Sequence, residues 1–219
     1  MERNAEVNDN KEHMEYAELL KRLTVDCKDD GVRFLRKDRI QEIKSLLNNS
    51  GYELLEEGNL SLLYGKPVGE GDAYRALISS HVDCVYINCF AKDESDICWK
   101  GTFDNSATNA AVVDLMLRGE LDTSVLIAFT GDEEKDSAGA VEIIQTLNRM
   151  ECRIDRAIVL DVTNEGWEDE AAFSIENDRG FDILTGYHIV GLLQASNTPC
   201  VFVHEAEPDE TWEYSKGSG

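Results

Sequence analysis

Residues 125–134 of the chain read VLIAFTGDEE, an apolar run that passes through Thr130 and Gly131 into three consecutive acids. Residues 76–83 read ALISSHVD and follow the same plan. Short apolar runs bounded by polar residues are typical of buried strands. We predict further buried strands at 85–90, 157–160 and 200–203, and helices at 106–117, 137–150 and 181–194. Strands that alternate with helices of this length predict an α/β fold, with a largely parallel mixed sheet and helices on both faces.

Two helices and a hairpin are predicted over residues 12–65, before this alternating region. Apolar side chains recur at helical spacing over residues 12–27 and again over residues 37–48, where an Asn-Asn-Ser-Gly stretch ends the second helix. Two short apolar runs joined by a Gly-Asn pair then favour a hairpin. Because the chain has no repeat, no low-complexity tract and only three prolines, we predict a single domain over residues 1–219.

The charge of the chain argues against two classes of partner. The sequence has 44 Asp and Glu against 21 Lys and Arg, a formal net charge of −23. Such a surface repels phosphate backbones and anionic lipid, so we predict neither nucleic-acid binding nor membrane binding. Residues 1–11 are polar and lack the apolar segment of a secretory signal. The six cysteines form no CxxC pair, and because no export signal is apparent we expect them to be reduced and buried in a cytoplasmic protein.

Acids and a histidine lie at the ends of the predicted strands or just before the predicted helices. The set comprises His81, Asp83, Asp104, Glu133, Glu134 and Asp161. Because ligands of α/β sheets gather at the carboxyl ends of the strands, we expect these side chains to converge. Five carboxylates there would repel one another, and two divalent cations would nearly neutralise them. One histidine nitrogen with several carboxylate oxygens suits zinc, manganese or cobalt, so the set predicts a two-metal hydrolytic site.

Each of these residues also has a purely structural interpretation. An acid before a helix is usually an N-cap, which applies to Asp104 and Asp132. The first turn of a helix stabilises acids such as Glu133 and Glu134 through the helix dipole. A single histidine is more often a hydrogen-bonded polar residue than a ligand. These structural interpretations explain each residue singly, but they do not explain why five acids would meet at one edge of the sheet. The combination of the five acids therefore favours the metal site.

Four short motifs occur in the order found in the co-catalytic zinc exopeptidases. They are HVD at 81–83, DN at 104–105, GDEE at 131–134 and LD at 160–161. The small residues after Asn105 and the SAGA stretch at 137–140 are also similar to that family. The chain therefore resembles the family, which includes bacterial aminopeptidases and related carboxypeptidases and deacylases, over residues 76–204. The resemblance implies a zinc-exopeptidase-like catalytic domain.

The resemblance also implies a role for each motif residue. His81 and Asp161 would bind the first metal, and Asp83 would orient the His81 ring as a hydrogen-bonding partner. Asp104 would bridge the two metals and Glu134 would bind the second. Glu133 would be the catalytic general base, while Asp132 would be a cap or a supporting residue. The implied cofactors are one or two divalent metals, with zinc favoured over cobalt and manganese.

Two features depart from the family pattern. The family places a last histidine ligand after a late strand, and here His204 directly follows the predicted strand at 200–203. It is so close to the strand that a ligand role and a structural role both stay open. The interval between Asp83 and Asp104 is too short for the lid or dimerisation domain that some relatives insert there. A naturally minimal protein and a shortened form of a longer one are equally compatible with the sequence.

The resemblance implies metal-dependent hydrolysis of a terminal amide bond in a peptide or an acylated amino acid, whereas the residues by themselves predict only a two-metal hydrolytic site. Residues 163–219 contain 12 acids and two bases, which favours an aminopeptidase that holds a substrate ammonium group. Candidate acids for that group are Glu165, Glu168, Asp169 and Glu170. Two alternatives stay open: a non-catalytic relative that binds a peptide or a single metal, and an acidic interaction domain. The sequence carries no prediction of the oligomeric state.

Overall fold

The computed structural model describes residues 14–24, 37–69, 73–86, 91–95, 98–163, 171–176 and 183–203. His204 and the candidate ammonium-binding acids at 165–170 lie outside these described residues. The elements are, in chain order, α1 (Tyr16–Leu23), α2 (Lys37–Leu47), β1 (Glu53–Glu57), β2 (Ser61–Gly65), β3 (Ala76–His81), β4 (Ala91–Ser95), β5 (Cys98–Gly101), α3 (Ser106–Arg118), β6 (Val125–Thr130), α4 (Ala138–Arg149), β7 (Arg156–Leu160), β8 (Phe173–Glu176), α5 (Ile183–Ala195) and β9 (Cys200–Val203).

The central sheet has five strands in the order β1-β2-β6-β3-β7. β3 is parallel to both β6 and β7, whereas β2 is antiparallel to β6 and to β1. The register sets His81 beside Thr130 and Ser80 beside Leu160, so three parallel strands end level with one another. The segments that follow these strands therefore emerge side by side at the carboxyl edge of the sheet.

Helices cover both faces of this sheet, as the sequence predicts. In β6, successive side chains alternate between the faces because a strand has a side-chain period of two. Ile127 and Phe129 belong to a core cluster shared with α1, α2 and α3. Leu126 and Ala128 belong to a second cluster with Ile143 and Leu147 of α4 on the opposite face. The predicted α/β class with a mixed, partly parallel sheet is confirmed.

Most predicted elements coincide with observed ones to within a few residues. The helices predicted at 37–48, 106–117 and 137–150 correspond to α2, α3 and α4, and the predicted hairpin is formed by β1 and β2. Helix α3 ends at Gly119, whose left-handed φ of 70° lets its N–H bond to the carbonyls of Leu115 and Met116. Within the described ranges no helix combines the length and the apolar character needed to cross a bilayer.

The buried strand predicted at 85–90 is wrong where the structure describes it. Val85 and Tyr86 lie outside any strand and are 52% and 55% exposed; residues 87–90 fall outside the described residues. The reason is topological: β6 and β7 occupy both sides of β3, so no position beside β3 remains for a strand that follows it directly. The chain continues instead into β4, which forms an unpredicted hairpin with β5.

The late strands are less buried than the sequence predicts. Residues 156–158 of β7 are exposed, because β7 is the edge strand of the five-stranded sheet among the described residues. β9 is intermediate in exposure and pairs in parallel with β8, an unpredicted strand, in a separate two-stranded sheet. A short apolar run predicts a strand but does not predict which sheet it joins.

Candidate metal centre

His81 lies at the centre of the candidate site. It ends β3, is 2% exposed, and its two ring nitrogens face different acids. Nε2 lies 3.1 Å from an Asp161 oxygen and 3.5 Å from an Asp104 oxygen. Nδ1 lies 3.4 Å from Oδ1 of Asp83. The ring therefore offers one nitrogen to the cleft and turns the other towards a buried carboxylate.

Asp83 connects His81 to the backbone of Glu134. Its carboxylate is fully buried, and Oδ2 accepts a hydrogen bond from the backbone N–H of Glu134 at 3.2 Å. The 3.4 Å contact with the His81 ring is long for a hydrogen bond, and neither His81 Nδ1 nor Asp83 Oδ1 has another hydrogen-bond partner among the described residues. In this orientation of the ring, Nε2 faces Asp104 and Asp161 in the cleft.

Asp104 and Glu134 form a contact between two acidic side chains in the cleft. Their carboxyl groups are hydrogen-bonded to each other. Burial, this hydrogen bond and repulsion from Asp104 raise the pKa of Glu134 to about 7. Burial also raises the pKa of Asp104, against the lowering effect of His81. A divalent cation bound beside the pair would lower both pKa values, because a cation favours ionised carboxylates.

His81 carries the opposite charge in this cluster. Burial alone would lower the pKa of His81. The nearby carboxylates of Asp161 and Asp83 outweigh that effect and raise the pKa well above its usual value. Without a metal, the imidazolium therefore compensates part of the negative charge that the carboxylates bring to the sheet edge.

Two groups of side chains are spaced to hold a metal ion. In each group the ligand atoms lie within 4.8 Å of one another. One group consists of His81, Glu133 and Asp161, and the other of His81, Asp104 and Glu134. One imidazole nitrogen with carboxylate oxygens is a donor set that zinc, cobalt and manganese accept, so the residues present fit such an ion. Because both groups use His81, they share one histidine-anchored position.

The structure thus brings together six of the residues that the sequence predicts for the site, while the candidate ligand His204 lies outside the described residues. The convergent set is His81, Asp83, Asp104, Glu133, Glu134 and Asp161. Their individual roles stay predictions. The presence of Glu133 in a potential ligand group leaves a ligand role for this residue beside the predicted general-base role.

The N-cap interpretation of the two aspartates is wrong. Asn105 occupies the N-cap position of α3 and Ser137 that of α4. Asp132 adopts a positive φ of 60°, and its carbonyl accepts hydrogen bonds from the backbone of residues 135, 136 and 137. It shapes the turn that carries Glu133 and Glu134. His188, which lies on α5, is exposed.

Three buried side chains around the site are absent from the sequence prediction. Asn105 donates a hydrogen bond to the carbonyl of Leu160 at 2.9 Å, and the peptide bond before it is cis. Asn109 donates to the carbonyl of His81 at 2.7 Å and to Ser80 Oγ at 2.6 Å. Arg39 of α2 is fully buried. The sequence features that could have indicated them are two asparagines four residues apart, at the N-cap and in the first turn of α3, and a cation on the apolar face of α2.

Comparison with known proteins identifies the fold. No protein-family model matches this chain, and no curated protein matches it. The LapA aminopeptidase of Legionella pneumophila is similar in structure, with a TM-score of 0.60 and 14% identity over 92% of this chain and 57% of that chain. PhTET1-12s, a dodecamer in the asymmetric unit, has a TM-score of 0.57 and 11% identity over 93% of this chain and 88% of that chain.

The aminopeptidase PepT of Bacillus cereus is a further structural relative. Its TM-score is 0.50 and its identity 16%, over 66% of this chain and 42% of that chain. The chain thus spans little more than half the length of LapA and less than half of PepT. At these identities the similarity shows the fold alone, which is the α/β fold that these solved structures share.

Proposed function

We propose that this chain is a metal-dependent, exopeptidase-like hydrolase that cleaves the terminal amide bond of a peptide or an acylated amino acid. The observation that carries the proposal is the position of His81, whose Nε2 faces both Asp104 and Asp161 within 3.5 Å at the carboxyl edge of the sheet. The similarity of the fold to aminopeptidases agrees with this class of reaction.

In this proposal, His81, Asp104 and Asp161 would hold one divalent metal, and Asp104 and Glu134 would contribute to a second. Zinc is favoured, with cobalt and manganese as alternatives. When bound, the metal polarises the substrate carbonyl and lowers the pKa of water. Asp83 keeps the His81 ring oriented from the opposite side, which is the usual function of a carboxylate behind a ligating histidine.

Glu133 is the proposed general base. It accepts a proton from the water whose oxygen attacks the amide carbon, and it delivers that proton to the amine nitrogen as the C–N bond breaks. Its position in the same cleft as His81 and Asp161 supports this assignment.

An aminopeptidase is favoured within this class. The net charge of −23 and the 12 acids of residues 163–219 suit a substrate with a free ammonium group better than one with a terminal carboxylate. A carboxypeptidase would need a cation near the cleft, and the last 57 residues contain only Arg179 and Lys216.

A non-catalytic relative is the second candidate. Among the described histidines only His81 lies in the cleft, and both potential ligand groups use it. If His81 holds the first metal, Asp104 and Glu134 alone remain for the second. A relative with one metal would bind a peptide without turning it over.

Metal reconstitution tests the proposal. The protein is stripped with a chelator, loaded with zinc, cobalt or manganese, and assayed on an aminoacyl arylamide and on an N-acyl amino acid. His81→Ala should lose metal and activity, while His188→Ala, the matched change at an exposed histidine, should retain both. Metal binding without turnover of either substrate would favour the non-catalytic relative, and no metal binding would favour an acidic interaction domain.

A further inference from the structure

Arg39 is a buried cation that the proposed chemistry does not use. It lies on α2, its side chain is 0% exposed, and it is among the largest fully buried side chains described. Nε donates to the carbonyl of Leu23 at 2.9 Å and Nη1 to that of Val82 at 2.9 Å. Nη2 points to the carbonyl of Asp104 at 3.4 Å, a longer contact. These three acceptors are backbone oxygens from three separate segments.

Two of those segments carry the candidate site. Val82 lies between His81 and Asp83, and Asp104 is itself the predicted bridging ligand. The third acceptor, Leu23, ends α1. One guanidinium therefore ties the backbone on either side of the cleft to a helix pair that carries none of the predicted ligands.

The chemistry of this position requires arginine in particular. Burying a cation is costly unless its N–H groups are hydrogen-bonded. The planar guanidinium directs several N–H groups at fixed angles, so it can reach three carbonyls at once, whereas a lysine ammonium is a compact point charge on a flexible stem. A cation placed only to stabilise the helices would not need acceptors within the two ligand segments.

We infer that Arg39 is a positioning residue of the metal centre: it holds the backbone of the His81–Asp83 and Asp104 segments at the separation that the metal requires. The inference rests on the proposed metal function. Arg39 acts through the backbone and touches neither metal nor substrate. Partners that orient metal ligands typically change metal affinity by about 10–100-fold when they are altered.

The test compares Arg39→Lys with Arg22→Met. Arg22 lies on α1 and bonds to Glu42 of α2, so its replacement disturbs the same pair of helices away from the ligand segments. Cobalt(II) is titrated into each metal-free protein, and the visible absorption spectrum of the loaded protein reports the coordination geometry. Arg39→Lys should bind cobalt about 10-fold or more weakly with an altered spectrum, and Arg22→Met should match the wild type in both.

Hydrogen exchange of the metal-free proteins supplies a second measurement. Arg39→Lys should accelerate exchange at residues 82–86 and 104–109 and leave the β2–β6 pairing protected. If the wild type binds no cobalt, the proposed metal function fails, and unchanged exchange in Arg39→Lys would overturn the positioning role separately.

A lower melting temperature combined with wild-type cobalt affinity and spectrum would overturn the inference, because it would leave Arg39 a purely structural role. Arg39→Gln serves as a second variant that retains an amide donor. If neither variant folds at low temperature, Arg39 is a requirement for folding rather than a positioning residue, and the inference is again overturned.

Discussion

At the scale of single residues, the His81 ring connects the acids of the cleft with the buried Asp83. Nε2 faces Asp161 and Asp104 in the cleft, and Nδ1 faces the buried Asp83. Asp83 in turn accepts the backbone N–H of Glu134. These residues are thus connected through one or two contacts. Because each of them makes different contacts, single substitutions should have distinct effects.

Glu133→Gln should abolish hydrolysis and leave metal binding nearly intact. The amide keeps the shape of the side chain but accepts no proton, and general-base catalysis typically contributes about 10²–10⁴-fold in rate. Rates on an aminoacyl arylamide and metal content of the purified protein are measured together. Glu134→Gln is the matched variant and should lose metal as well.

Parallel loss of metal and activity in Glu133→Gln would make Glu133 a ligand with His81 and Asp161 instead of the base. The spacing of these three residues makes that outcome a specific alternative. An unchanged rate would remove Glu133 from the mechanism.

At the scale of secondary-structure elements, helix α4 packs closely against the turn that carries Glu133 and Glu134. Gly139 donates its N–H to the carbonyl of Gly131 at 3.0 Å, and Gly131 donates to the carbonyl of Leu60 at 2.8 Å. A Cβ atom at Gly139 would lie 2.5 Å from the Gly131 nitrogen and 2.6 Å from the Leu60 oxygen. These are backbone atoms, so relief requires α4 or the end of β6 to move.

Gly139→Ala should therefore destabilise the protein by about 1–3 kcal/mol, the usual cost of overpacking. It should also lower activity, because Gly131 leads directly into the turn with Glu133 and Glu134. Gly191→Ala in α5 is the control, since nothing lies within 4 Å of its added Cβ. Denaturant unfolding of the two variants compares them, and equal stability would show that α4 is not seated closely against Gly131.

At the scale of the whole molecule, the metal-free protein concentrates negative charge at one edge of the sheet. The pKa of Glu134 is raised to about 7 and that of His81 well above its usual value. For both groups the folded state holds protons more tightly than the unfolded state. The free energy of unfolding therefore falls as pH rises, because its slope follows the difference in bound protons between unfolded and folded states.

We expect the metal-free wild type to lose stability as pH rises from about 4.5, the ordinary Glu value, to about 7. Glu134→Gln should lose less over the same range, since its amide does not titrate. Urea unfolding at several pH values in the presence of chelator measures both proteins. A wild type whose stability rises across this range, or a variant with the same slope, would contradict the prediction.

Metal titration should reveal unequal sites in the whole chain. In the proposed scheme, His81, Asp104 and Asp161 would supply three ligands to the first metal, the usual complement of a catalytic zinc site, whereas Asp104 and Glu134 would supply two to the second. Each tenfold loss of affinity corresponds to about 1.4 kcal/mol. Calorimetry on the stripped protein should show one metal bound tightly and a second bound weakly or not at all.

Two tight and equivalent sites would show that the second metal has a further ligand. His204→Ala would then identify or exclude the residue that follows β9. Failure to bind any metal would contradict the metal centre itself.

Much of the fold and of the candidate site could be predicted from the sequence. The apolar runs of β3 and β6, the helical spacing in α2, α3 and α4, and the placement of His81 and the acids after the strands all follow from side-chain periodicity. Parallel strands share one carboxyl edge, so convergence of these residues was implied once the strands were assigned as parallel neighbours. These properties are local, or follow from a general rule of α/β sheets.

Only the tertiary structure decided the rest. The apolar residues at 85–86 have no place in the sheet because β6 and β7 already flank β3, and β9 pairs with β8 instead of the central sheet. Arg39, Asn105 and Asn109 bond to carbonyls that are distant in sequence, and carbonyls carry no residue-specific signal. Periodicity records which face of an element is apolar. Which strands become neighbours, and which buried donors find which backbone acceptors, depends on how all the elements pack together.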